Sequence, residues 1–151
     1  MLSFESLFKN QVKEYTLNQL ADYLKTIKDF PKTNYKQKFK YFAIKNENKL
    51  AGLIVVDENP EGGFYGMTKE QMGHDIEIVF FYVFPEFRGM KIGQELLRYV
   101  IQKYPTKYIG LGTSKQSFEN AKQMYKRNGF NIISDFPKEG NSWWLRKPEK
   151  K

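Results

Sequence analysis

The chain has 151 residues, enough for one domain with a full core, and 25 basic against 17 acidic residues give it a formal net charge of +8. It has no cysteine and a single histidine, His74. That excludes disulfides, thiolate metal sites, a cysteine nucleophile and a multi-histidine metal centre, so no metal is expected.

Residues 1–15 carry no clear periodicity, and a short strand and a first helical turn stay open there. Thr16 with Gln19 forms a capping-box pattern. Leu17, Leu20, Ala21, Leu24 and Ile27 then recur at helical spacing until Phe30-Pro31. Residues 31–38 read as loop. Lys40–Lys45 and Lys49–Asp57, joined by Asn46-Glu47-Asn48, read as an antiparallel hairpin. Residues 58–74 form a long glycine-bearing connection, in which Phe64, Tyr65 and His74 either line a pocket or tuck onto the core.

The segment Asp75–Tyr104 follows. Ile76–Phe84 is an apolar run interrupted only by Glu77, read as a strand buried on both faces. Pro85 stops its ladder. After the turn Arg88-Gly89-Met90-Lys91-Ile92-Gly93, a helix presents Ile92, Leu96, Leu97, Val100, Ile101 and Tyr104, and Pro105 ends it. A glycine-bearing turn into a helix offers backbone N–H donors to an anion such as pyrophosphate.

Lys107–Leu111 reads as the next strand. Ser117 is placed to cap another helix, with Glu119 in its first turn and Phe118, Ala121, Met124 and Tyr125 on its inner face. Gly129 is placed to end it in a left-handed conformation. Asn131–Ser134 and Ser142–Lys147 read as a closing antiparallel pair. Trp143 and Trp144 alternate along it, so one is expected to face inward and one outward.

Two segments together carry a family resemblance. Arg88 and Gly93 match the ends of a Q/R-x-x-G-x-G/A signature, with Lys91 at its middle glycine. Ala121 to Phe130 reads A-x-x-x-Y-x-x-x-G-F. These resemble the GNAT superfamily of acetyl-CoA-dependent N-acetyltransferases. The resemblance covers roughly residues 40–147, and it implies an α+β fold with a mixed, mostly antiparallel central sheet flanked by helices, in a single domain over 1–151.

The resemblance also implies site residues. The turn Arg88, Gly89, Met90, Lys91, Ile92, Gly93 would hold the acetyl-CoA pyrophosphate. The backbone of Phe81 and Val83 would pair with the pantetheine amides, one N–H also serving the oxyanion. Asn120 would touch the pantetheine arm or simply reinforce its helix. Glu77, in an E-I-V-F context like that of the histone-acetylating branch, would be the general base, with a solvent-facing glutamate as the plain alternative. Tyr125, with an ordinary pKa near 10, would be the acid towards the leaving sulfur, with core packing as the alternative.

An acetyl-CoA-dependent N-acetyltransferase acting on a small-molecule or protein amine is therefore expected. A non-catalytic acyl-CoA sensor, an RNA-directed acetyltransferase and a plain nucleic-acid-binding domain are the rivals. The scattered basic charge makes nucleic acid the less favoured partner. It also argues for neutral or anionic acceptors over lysine-rich peptides, with Phe64, Tyr65, Trp143 and Trp144 as candidate pocket walls. No run approaches the roughly 20 apolar residues of a membrane helix, and MLSFESLFKNQ lacks the form of a secretory signal. A cytoplasmic protein without membrane association is expected, and a homodimer is compatible with the sequence.

Overall fold

A computed structural model describes residues 12–27, 38–61, 67–113, 119–136 and 141–148. Its strands are β1 (Lys13–Tyr15), β2 (Lys40–Asn46), β3 (Lys49–Asp57), β4 (Ile76–Val83), β5 (Ile109–Thr113), β6 (Phe130–Phe136) and β7 (Asn141–Arg146). They form one seven-stranded sheet in the order β1-β2-β3-β4-β5-β7-β6. The helices among the described residues are α1 (Leu17–Leu24), α2 (Lys69–Met72), α3 (Ile92–Lys103) and α4 (Glu119–Arg127), with a 3-10 turn at Pro85–Phe87. Pairing is antiparallel for β1–β2, β2–β3, β5–β7 and β6–β7, and parallel for β4–β5. The expected mixed, mostly antiparallel α+β architecture is present.

The chain divides into two compact units, one of Met1–Val56 with Phe80–Tyr99, the other of Asp57–Val79 with Val100–Lys151. In the first, Thr16 accepts from the Gln19 N–H while the Gln19 side chain accepts from the Thr16 N–H, so the capping box closes as expected. Leu17, Leu20 and Leu24 form the buried stripe of α1. The β2–β3 hairpin turns through Glu47, which takes φ 58°. β3 is buried along almost its whole length. Its one glycine marks a close approach: a Cβ on Gly52 would lie 3.0 Å from the Tyr82 carbonyl oxygen and 3.1 Å from both Ile92 and Leu96. The first turn of α3 thus seats against β3 where the side chain is missing.

In the second unit, residues 58–74 are not all loop. Thr68 and Gln71 close a second capping box on α2, and Gly73 ends it at φ 75°. That Thr-x-x-Gln signal stands in the sequence, although one helical turn is too short to show periodicity. β5 starts later than expected because the Asp75 side chain and backbone clasp the backbone of Tyr108 at 2.9 and 2.8 Å. It runs on to Thr113 because Gly112 and Thr113 pair with Trp143 and Ser142 of β7. Gly129 ends α4 at φ 91°, as expected.

Two burial expectations are corrected. β4 is not buried on both faces: its ladder to β5 covers Ile76, Glu77 and Ile78, and from Val79 to Val83 every residue is half-buried. Trp143 and Trp144 do not divide between inside and outside, being 0% and 1% exposed. β7 lies between β5 and β6, and both its faces are covered: Trp143 meets His74 on one side, and Trp144 meets Tyr125 on the other. Phe64, Tyr65, Ser117, Phe118 and the loops at 28–37 and 137–140 lie outside the described residues.

Candidate active site

The turn expected to hold a pyrophosphate belongs to the first unit. Two of its residues are left-handed, Gly89 at φ 85° and Lys91 at φ 65°. Glycine adopts this conformation freely; for lysine it costs about 1 kcal/mol or more. The middle position of the signature therefore keeps the backbone conformation that a glycine there would supply, even though the residue is lysine. Where a turn sets successive N–H groups to one side, it forms a nest for an anion. The carbonyl of Lys91 accepts from the Glu95 N–H at 3.1 Å, so Lys91 is the last residue before α3, and the N–H groups of the first turn have no acceptor within the helix. Space is open as well: nothing lies within 4 Å of where a Cβ on Gly89 would stand. These residues fit a pyrophosphate.

Arg88 is turned back rather than outward. Its Nε donates to the Val83 carbonyl at 2.9 Å, and its guanidinium lies 5.4 Å from the centre of the Tyr82 ring. It fixes the return of the chain from β4 into the turn. Alternation on β4 puts Glu77, Val79, Phe81 and Val83 on one face. The stacked Phe80–Tyr82 rings, 6.1 Å apart, mark the other. A Cβ on Gly93 would touch Val83 at 3.5 Å and Phe81 at 3.6 Å, so the start of α3 lies over the Phe81–Val83 face. Met90 and Ile92 complete the turn; Ile92 is buried and anchors it.

The acid–base candidates belong to the second unit. Glu77 keeps 25% side-chain exposure, and its Oε1 lies 3.3 Å from Nε2 of His74, whose side chain is fully buried. His74 packs edge-on against Trp143, ring centres 4.8 Å apart at 74°. The Trp143 indole N–H donates to the Met72 carbonyl at 3.1 Å. Opposite Glu77 in the parallel register stands Gly110. A Cβ there would lie 2.4 Å from Trp143 and 2.9 Å from His74, so any side chain at this position would push the ring pair apart. Sequence reasoning named His74 but missed Gly110 and the Met72 contact. A glycine inside a strand was the available signal.

Tyr125 is buried on α4, 5.7 Å from Trp144 and 6.0 Å from Phe130 between ring centres. Trp144 is itself held by donation to Thr113 Oγ1 at 2.9 Å. Burial pushes the Tyr125 phenol up to about 12, which corrects the expected value near 10. Asn120 falls on α4, ahead of Tyr125 on the same helix. Full burial also removes Trp143 and Trp144 as walls of an acceptor pocket. Among the described residues no three His, Asp or Glu side chains are grouped to hold a metal ion, and no helix is long and apolar enough to cross a membrane.

Residues 4–130 match the family model for the acetyltransferase (GNAT) family. No curated protein matches the chain. Among solved structures, the fold is similar to that of an IAA acetyltransferase from Bacillus cereus ATCC 14579. The identity is 19%, over 89% of this chain and 97% of that one, with a TM-score of 0.66. A Bacillus subtilis acetyltransferase in complex with CoA shares 18% identity over 92% and 99% of the two chains, with a TM-score of 0.65. The PaiA N-acetyltransferase from Thermoplasma acidophilum, in complex with coenzyme A, shares 13% over 90% and 97%, with a TM-score of 0.62. With the family match spanning most of its length, the chain belongs to the GNAT acetyltransferase family, whose members transfer an acetyl group from acetyl-CoA.

Proposed function

We propose that this protein is an N-acetyltransferase that uses Glu77 as base on a primary amine and Tyr125 as donor to the departing sulfur. The observation that carries the cofactor half is the left-handed Lys91: a strained residue is kept where an anion-binding turn needs it. In this reading the backbone N–H groups from Gly89 to Gly93 hold the pyrophosphate, with the dipole of α3 behind them. The Phe81 and Val83 backbone on the half-buried end of β4 pairs with the pantetheine amides, and Asn120 contacts the arm. The CoA-bound relatives support this reading.

Acetyl-CoA supplies an acetyl group already activated as a thioester. The protein must take a proton from the attacking ammonium or amine, give donors to the carbonyl oxygen, and ease the departure of sulfur. Glu77 does the first, directly or through one water, since a quarter of its side chain is open to solvent. A β4 backbone N–H does the second. For the third, the raised pKa of Tyr125 decides the form of help. A phenol at about 12 is a far weaker acid than a thiol near its ordinary value of about 8.5. Tyr125 therefore keeps its proton at every workable pH and donates a hydrogen bond to the sulfur, which takes its own proton from solvent.

The alternative is a non-catalytic acyl-CoA sensor, for which the lysine in place of the signature's middle glycine would speak. That reading shares the cofactor half of the proposal, so amine-dependent turnover of acetyl-CoA is what separates the two. The net charge of +8 favours neutral or anionic amines over lysine-rich peptides as acceptors. The test is thiol release from acetyl-CoA with a panel of small amines, a polylysine peptide, an acidic-flanked lysine peptide and charged tRNA, each at low and high salt. We expect release to require an amine, polylysine to be poor, and salt to matter little. Collapse of activity with salt would move the acceptor to RNA. Millimolar CoA should also raise the melting temperature, because it binds only the folded chain; an unmoved melting curve would remove the cofactor assignment.

A further inference from the structure

We propose that His74 is a positioning residue, a buried Nε2–H donor that fixes the orientation of the Glu77 carboxylate. The inference deepens the proposed function and rests on Glu77 being its base. The ring is clamped on several sides: it has no side-chain exposure, it meets Trp143 edge-on, and Trp143 is itself tied to the Met72 carbonyl. Gly110 leaves the space that the two rings fill. From this fixed ring, Nε2 reaches Glu77 Oε1 at 3.3 Å. An ionised carboxylate has acceptors only, so the hydrogen must sit on Nε2.

The other nitrogen bears on the role. With Nε2 donating, Nδ1 is an acceptor, and it finds no hydrogen-bond partner among the described residues. A proton relay needs a second partner on the far side of the ring, and the described residues supply none, which favours an orienting role. Leaving a buried polar atom unsatisfied costs about 1–3 kcal/mol. A phenylalanine would pack against Trp143 without that cost. What histidine adds in its place is the single hydrogen bond to Glu77.

His74 is the only histidine in the chain, so a histidine-labelled sample gives one imidazole signal set in 15N NMR. We expect the Nε2–H tautomer; the Nδ1–H tautomer would overturn the proposal. Two variants test the catalytic consequence. His74→Phe keeps a ring against Trp143 and removes the donor; His74→Gln keeps a donor near the position of Nε2. We expect His74→Phe to lower kcat by about 10- to 100-fold, as misplacement of a catalytic group does, with KM for acetyl-CoA within about twofold. His74→Gln should recover most of that rate. In a Glu77→Gln background, His74→Phe should cost nothing more. Equal losses in both single variants would make the residue a packing element only, and an unchanged kcat in His74→Phe would remove any role.

Failure of the underlying reading looks different. Wild-type turnover in Glu77→Gln discards the base and His74's part in it. No amine-dependent thiol release at all discards acetyl transfer, and the tautomer then remains as the separate test of the hydrogen bond. Should His74→Phe not fold, the tautomer and His74→Gln still decide: an Nδ1–H ring, or a glutamine variant with less than a tenth of the wild-type rate, would end the proposal.

Discussion

The Arg88–Gly93 turn and the His74–Glu77 cluster are built in opposite ways. The turn is a backbone device. Its proposed function lies in two φ angles and in the N–H groups at the start of α3, and it holds a lysine where a glycine would be easiest. The cluster is a side-chain device assembled from α2, β4, β5 and β7, and it tolerates nothing at Gly110. A backbone site withstands substitution so long as φ is kept; a packed side-chain site fails with a single added methyl group. Most substitutions in the turn should therefore be mild and specific to cofactor affinity, whereas those in the cluster should be severe and fall on turnover or on folding.

The largest effect should come from Glu77→Gln. Turnover should fall by about 10²–10⁴, the usual range for a general base, with CoA affinity and melting temperature nearly unchanged. Steady-state kinetics beside CoA titration checks it, and a wild-type rate across pH would break the division of labour between the two regions. Next is Gly110→Ala. Its methyl group would press on Trp143 and His74, and we expect a loss of about 3 kcal/mol in denaturant unfolding, at the upper end for overpacking. A loss below about 0.5 kcal/mol would show that the ring pair yields easily and would blur the contrast.

Tyr125 contributes a pH signature of similar size. Its folded value, about 12, lies above the ordinary 10.0, so folding holds the phenol's proton. The contribution is whole below pH 10 and is lost as pH rises towards 12, amounting to about 3 kcal/mol at most. Wild type should lose stability over this window relative to Tyr125→Phe, and parallel curves would deny the burial effect. At lower pH the same variant should slow turnover, because the proposed donor to sulfur is gone.

The smallest effects belong to the turn. Gly93→Leu should weaken CoA binding by about tenfold or more, since a branched chain fills the space beside Phe81 and Val83. Lys91→Gly should leave affinity within about threefold and change stability by about 0.5 kcal/mol or less. Relief of the left-handed strain is set against the greater freedom of glycine in the unfolded chain. If Lys91→Gly proved the more damaging of the two, the lysine side chain and not the backbone would be the working part.

The same contrast explains what the sequence revealed. The hairpin, the β4–turn–α3 passage, the Thr16 cap and the left-handed Gly129 all follow from local patterns, and the structure contains each of them. The turn was legible because its chemistry is local. The cluster was not, because nothing in residues 72, 74, 77, 110 and 143 taken singly says that they meet. Trp143 and Trp144 show the limit most clearly. Strand alternation places them on opposite faces, yet it cannot say that both faces of β7 are covered. Only the position of β7 between β5 and β6, with His74 on one side and Tyr125 on the other, makes both tryptophans core.

That pair of tryptophans has a practical consequence. They are the only two in the chain, and each touches a different side chain of the candidate site: Trp143 borders His74, and Trp144 borders Tyr125. Intrinsic fluorescence is thus a built-in optical probe with two channels. Replacing either indole by phenylalanine would leave one emitter, whose quenching by the neighbouring ring reports on that group alone. Each single-tryptophan form would therefore follow one side of the candidate site separately, without any label.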